Sequence, residues 1–226
     1  IPLEFEDIYD FIGFLPSRMH NAGSLTKYWA HGQNGFKLRG IEARQHSTCE
    51  WIAAIQKESL EILKDNLNGE SNYDSITVQQ KIIAKLHDEI KSLNSGKIDP
   101  KKLVVTRRVT KRIEDFSVST NTQQALIRAR RLGQDILPGR KVRFVATKPS
   151  PGIPESRVIL LEELSDNSGF RIDSEYYEGL AIRAIWAILG PFGWSDEEIR
   201  QGHRKYTLFD FFSAFDSNPS INDSAY

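Results

Sequence analysis

Arg107, Arg108, Lys111 and Arg112 place four cations in six residues, flanking Val109-Thr110. On an extended or turning backbone several of these side chains face one side. That arrangement suits a row of phosphates, whose contacts give affinity without sequence preference and a steep response to salt. Two further sets share this chemistry. Arg128 and Arg131 stand three residues apart and share a helix face, with Arg130 turned elsewhere. Lys141 and Arg143 alternate along a strand and share its face, next to Arg140. All lie in one block. Residues 97–157 carry 15 Lys/Arg against 5 Asp/Glu, net +10, whereas residues 1–96 carry 10 against 13 and residues 158–226 carry 5 against 12. The formal net charge of zero conceals this asymmetry. Such a block is the footprint of phosphate binding; the alternative is a solvated basic face that balances acidic flanks.

The elements that must carry these cations are readable from pattern. Residues 7–15 alternate and contain aromatics, which predicts a strand ended by Pro16. Residues 27–29 and 37–42 are β-type runs flanking Gly32-Gln33-Asn34-Gly35, a hairpin signal. Ile52, Ile55, Leu60 and Leu63 recur at helical spacing over residues 49–67, with Thr48 as N-cap. Ile82, Ile83, Leu86, Ile90 and Leu93 repeat the pattern over 77–93. Residues 103–106 form a β-branched strand after Asp99-Pro100, and 122–132 a helix closed by Gly133. Pro138-Gly139 turns into a strand over 141–147; residues 148–154 are loop and 157–161 a strand. A helix follows over 173–189, then Ser195 as N-cap before three acidic residues. Residues 216–226 are polar and expected to be disordered. The fold class is α+β: a small β segment followed by a mostly helical region with short strands.

Composition removes several classes. The chain has 226 residues, 39% of them hydrophobic, enough to bury a core. No apolar run is long enough for a membrane span, and the acidic N-terminus is unlike a signal peptide. The chain begins without Met, as a fragment or a processed protein would. One cysteine, Cys49, excludes an internal disulfide framework and a multi-cysteine zinc site, and fits a reducing, cytoplasmic setting. His20, His31, His46, His87 and His203 show no ligand spacing.

An ordered set of motifs resembles the C-terminal half of archaeal family B DNA polymerases. Residues 5–16 (FEDIYDFIGFLP) resemble a palm strand, and Thr26-Lys27-Tyr28 a Lys-x-Tyr type motif. Arg39-Gly40-Ile41-Glu42 resembles the next strand of that family. Residues 99–105, Val109-Thr110-Lys111 and Leu137-Pro138-Gly139 resemble thumb segments, as do residues 172–177 and 188–193. The resemblance covers nearly the whole chain. It implies a palm edge with hairpin over residues 1–47, a thumb over 48–203 and a C-terminal tail over 204–226. It further implies that Lys27 and Tyr28 touch the duplex near the primer end, where a Lys senses minor-groove acceptors and a Tyr packs on sugar or donates to phosphate.

The departures matter as much. The family's metal-binding motifs, Asp-x-x-Ser-Leu-Tyr-Pro and Tyr-x-Asp-Thr-Asp, are missing, and two-metal phosphoryl transfer needs such clustered carboxylates. The chain has no expected catalytic residue and no metal site; magnesium belongs to the complete polymerase. Gln45-His46-Ser47 replaces the family's Arg-Arg-Asp. In the tail, Lys205, Leu208, Phe211 and Phe212 resemble a sliding-clamp peptide, with Lys205 where Gln is usual. The implied partners are primer–template DNA, a catalytic polymerase portion or large subunit, and a sliding clamp, in an archaeal-type cytoplasm at the nucleoid. The alternatives are a non-catalytic accessory relative, binding primer–template or clamp, and a generic nucleic-acid binder.

Overall fold

The computed structural model describes residues 8–16, 23–67, 75–165 and 169–203. Strand β1 (Tyr9–Pro16) pairs antiparallel with β2 (Gly23–Gly32), which pairs antiparallel with β3 (Gly35–Arg39). The β2–β3 hairpin turns where the Gly- and Asn-rich run predicts it. The sheet has two unlike faces because its side chains alternate. Gly13, Trp29 and Leu38 stand in register on the inner face, with Trp29 stacked on Phe192 at a centroid distance of 6.2 Å. Phe14, Tyr28 and Arg39 stand in register on the outer face.

The expected strand over 37–42 stops at Arg39. Gly40 takes φ +68°, and a Cβ there would meet Thr26 O at 2.6 Å, so only glycine lets the chain leave the sheet at that point. Glu42–Arg44 then forms a 3₁₀ turn. Gln56, fully buried, fixes that turn: its Oε1 accepts from Ala43 N at 2.5 Å, and its Nε2 donates to Glu42 at 3.1 Å and to Ala184 O at 2.7 Å.

Helices α1 (Glu50–Leu67) and α2 (Ser75–Asn94) follow the apolar periodicity, and Ile52, Ile55, Leu60, Leu63, Ile82 and Leu86 are buried. The cap of α1 is one residue later than expected. Cys49 O accepts the first helical bond, from Ala53 N, so Cys49 holds the N-cap position expected for Thr48. Burial pushes its thiol pKa up to about 11, against hydrogen bonds from the Ile52 and Trp51 backbone that lower it.

A second antiparallel sheet follows, of order β4 (Val105–Arg108), β5 (Lys141–Ala146) and β6 (Val158–Leu160). The strand expected over 103–106 lies two residues further on. Pro100–Leu103 is instead a 3₁₀ turn, with Pro100 at its start and Asp99 accepting from Lys101 N at 2.9 Å. Helix α3 (Asn121–Arg131), capped by Thr120, covers part of this sheet. Helix α4 (Ser174–Leu189), capped by Asp173, is tied to the sheet by its buried Tyr177, whose hydroxyl accepts from Ala146 N and donates to Leu103 O. Ser195 caps α5 (Asp196–Gln201) in a reciprocal capping box, as its sequence predicts. One core runs from Leu15 and Trp29 through α1, α2 and α4 to Ile199. The fold is α+β.

Candidate nucleic-acid interface

The second sheet sorts the basic residues. Arg108 stands directly opposite Lys141, and Thr106 opposite Arg143. Val142, between two exposed cations, is buried, so Arg108, Lys141 and Arg143 share the outward face. Pro138 and Gly139 make the return into β5: Arg140 N donates to Leu137 O at 3.1 Å, and Gly139 sits at φ +90°. That is the geometry of a type II turn. Val109 and the turn close the ladder, with Val109 N to Arg140 O and Gly139 N to Val109 O both at 2.8 Å.

Like charges directly opposite across a ladder are destabilising. Here Arg108 faces Lys141, and neither forms an ion pair with a carboxylate among the described residues. Arg143 has one loose contact, Nη2 to Glu162 at 3.4 Å, with both side chains about half exposed. The face is therefore a cluster of cations with little internal neutralisation.

The other expected cations are differently engaged. Arg107 lies opposite Val142 on the inward face, where Nη1 donates to Ser47 O at 3.3 Å and the guanidinium lies near the Tyr176 phenol, whose pKa burial raises more than this cation lowers it. The four cations at 107–112 thus do not share one side. Lys111 sits 4.7 Å from the Phe116 ring centroid. The Arg112 backbone N donates to Asp115 at 3.2 Å, which starts a 3₁₀ turn over Ile113–Asp115. Arg131 pairs with buried Glu155. Arg130 pairs with Glu114 at 2.9 Å.

Arg128 grips Glu163 with two bonds, Nε at 2.6 Å and Nη2 at 2.8 Å, and both side chains are only 19% exposed. Burial raises the Glu163 pKa, but the Arg128 hydrogen bond and the Leu160 N–H outweigh it, and the net shift is downward. A lowered carboxylate pKa stabilises the fold above the ordinary Glu range, and that contribution disappears as pH falls through the folded-state value. Arg128→Ala should therefore cost about 1–3 kcal/mol in urea unfolding at neutral pH and less at acid pH, because Glu163 loses its charge partner. Its duplex affinity should stay within about twofold, since this arginine already has a partner.

Alternation sends Lys27 and Tyr28 to opposite faces of the first sheet. Tyr28 packs beside Phe14 on the outer face, with ring centroids 5.7 Å apart. Lys27 is exposed beside Gly40. Ile12 and Phe14 are exposed on the outer face near Tyr28. Lys205, Leu208, Phe211 and Phe212 lie outside the described residues, as do Glu4, Glu6 and Asp7. Among the described residues no group of three or more His, Cys, Asp or Glu could hold a metal ion. A two-metal centre does not fit this donor set, and no described residue is assigned a catalytic step. No described helix is long and apolar enough to cross a membrane.

The sequence profile of DNA polymerase family B matches residues 1–191. The chain belongs to that family. The family B chain is 23% identical to the DNA polymerase of Archaeoglobus fulgidus over an alignment 226 positions long, which spans 94% of this chain and 27% of the relative. It is 25% identical to the DNA polymerase of Thermococcus hydrothermalis over 178 residues, covering 74% of this chain and 11% of the relative. Its fold resembles the family B DNA polymerase of Pyrobaculum calidifontis, with a TM-score of 0.57 at 18% identity, over 77% of this chain and 21% of that one. The family B chain thus spans about a quarter or less of these proteins.

Sequence reasoning missed the inward Arg107–Tyr176 contact and the Arg128–Glu163 pair. Position 107 carried a signal, because alternation along β4 separates it from 108. Glu163 carried none, being 35 residues from its partner.

Proposed function

We propose that this chain is the palm edge and thumb of a family B DNA polymerase, and that it holds the primer–template duplex. The division proposed is residues 1–47 for the palm edge, 48–203 for the thumb and 204–226 for a clamp-binding tail. The observation that carries the reading is the outward face of the second sheet, where Arg108 opposes Lys141 with Arg143 beside them. A fold gains nothing by aligning these cations unless an anion comes between them. A phosphodiester backbone supplies a row of such anions and asks for no base readout. Lys27 then approaches the primer end from the first sheet, with Tyr28 beside it in β2 contributing from the opposite face, while Lys111 and Arg112 flank the phosphate track. Arg107 supports it from within by orienting β4, while Arg128 and Arg131 hold α3 in place through Glu163 and Glu155. Magnesium and nucleotide are held by the remainder of the polymerase.

The experiment is primer–template binding, with Lys27→Ala beside the wild type. The variant should lose about tenfold on a recessed primer end, the worth of roughly one charge-assisted hydrogen bond, and change little on a blunt duplex. Equal affinity on both substrates would remove Lys27 from the primer end. For the tail, replacing Leu208, Phe211 and Phe212 by Ala should abolish clamp binding and leave duplex binding intact. Loss of folding would place those side chains in the core instead.

A further inference from the structure

A groove of about 610 Å³ is lined by none of the outward cations of the second sheet. Its walls come from the C-terminal end of α2, the 3₁₀ turn at Pro100, the chain leaving β5 and the start of α4. Leu93, Ile98, Leu164 and Ile172 give it apolar sides. Phe170, half-buried, adds an aromatic ring. Lys148 and Arg171 also line it, and the backbone sets them side by side: Lys148 N donates to Arg171 O at 2.8 Å. Both are exposed. Arg171 has no ion-pair partner among the described residues, and Lys148 only a long contact with Glu175 at 3.9 Å. Lys97 and Lys101 lie next to the lining residues Gly96, Ile98 and Pro100, exposed and likewise without ion pairs among the described residues. The nearby Asp99 carboxylate is occupied by Lys101 N.

Apolar walls with one aromatic ring, and cations both inside and at the rim, match an unpaired nucleotide. A base lies against the walls and the ring, while the phosphates on either side of it meet the cations. Stacking of this kind tolerates any base and combines with a positively charged channel in single-strand binders. A paired base cannot enter, because its faces are already stacked in the duplex. The outward face of the second sheet lacks exposed aromatics among the described residues and suits phosphates alone. The two surfaces also differ in position. Lys141 and Arg143 lie at the start of β5 and point outward, whereas Lys148 lies beyond its end, beside α4.

We infer that this groove binds single-stranded DNA through one or two unpaired nucleotides, separately from the duplex-holding face. The inference concerns the same nucleic acid as the proposed function but rests on a different surface, so each fails alone.

The test uses the full chain and two labelled probes, an oligo(dT) of about six nucleotides and a blunt duplex, in fluorescence anisotropy at low salt. Lys148→Glu/Arg171→Glu should weaken oligo(dT) binding at least about tenfold and leave blunt-duplex binding within about threefold. Phe170→Ala, with folding verified by circular dichroism, should weaken oligo(dT) about fivefold or more through lost stacking. Arg108→Ala/Lys141→Ala/Arg143→Ala should show the reverse preference. The inference is overturned if wild-type protein fails to bind oligo(dT), or if the Lys148/Arg171 variant binds it as well as wild type. Equal losses on both probes in that variant would also overturn it, by reducing the groove to a general charge effect. Displacement of oligo(dT) by equimolar thymidine monophosphate would assign the groove to free nucleotides instead.

Discussion

Replacing Arg108, Lys141 and Arg143 together by alanine should lower affinity for a blunt duplex by about a thousandfold at low salt, each lost charge-assisted contact being worth roughly 1.5 kcal/mol. The slope of log K against log salt should become shallower by about 2.7, from three phosphate contacts at roughly 0.9 each. Stability should move the other way. Arg108 and Lys141 are directly opposite in the ladder, so their removal relieves a repulsion of a few tenths of a kcal/mol. The expected result is therefore a protein as stable as wild type, or slightly more so, that has lost its hold on DNA. Fluorescence anisotropy across a salt series and thermal unfolding on the same samples measure both quantities. If stability falls together with affinity, the face is structural and the phosphate reading loses its support.

Tyr177→Phe should have the opposite signature. The Tyr177 hydroxyl accepts from Ala146 N at 2.9 Å and donates to Leu103 O at 2.7 Å, so one buried atom joins α4, β5 and the turn before β4. Phenylalanine keeps the ring and orphans both backbone groups. Leaving a buried donor and acceptor unpaired should cost about 2–4 kcal/mol in urea unfolding. The phenol also responds to alkali. Burial raises its pKa well above the ordinary value, outweighing the Ala146 N–H, which lowers it. A raised pKa gives stability that is complete below the unfolded-state value, near ~10, and is lost as pH rises through the folded-state value. Wild type should therefore weaken above about pH 10. The variant should lose part of that decline, the remainder belonging to Tyr176 and Cys49, whose pKa values burial also raises. Duplex affinity of the folded variant should stay within about twofold, because the outward cations are untouched. An alkaline profile identical to wild type would contradict the bridging role of Tyr177.

The sequence reveals local features better than distant ones, and particular residues show why. Ile52, Ile55, Leu60 and Leu63 announce α1 because helical period and burial coincide. Ser195 and Glu198 announce α5, since both halves of the capping box lie within four residues. Gly32 and Gly35 bound the hairpin turn. The pairing of β4 with β5 is different: Val105 meets Phe144 across an intervening turn, helix and loop, and no local pattern encodes that register. The misplacement of β4 has a local cause, because Val104-Val105 has strand propensity while Asp99 and Pro100 impose a 3₁₀ turn on the residues between. Among the site residues, Lys141 and Arg143 share a face as their alternation predicts. The cluster at 107–112 divides because Arg107 faces the helices. The groove beside Lys148 and Arg171 was invisible, since four separate segments build it.

The most direct test of the central claim is binding of the intact chain to a primer–template duplex between about 50 and 200 mM salt, the range over which phosphate contacts are lost. The account predicts binding at the low end and a linear log–log decline with a slope of at least about −2.7, one increment of roughly 0.9 for each of the three cations on the outward face. Absence of binding at the lowest salt, or a slope near zero, would contradict it.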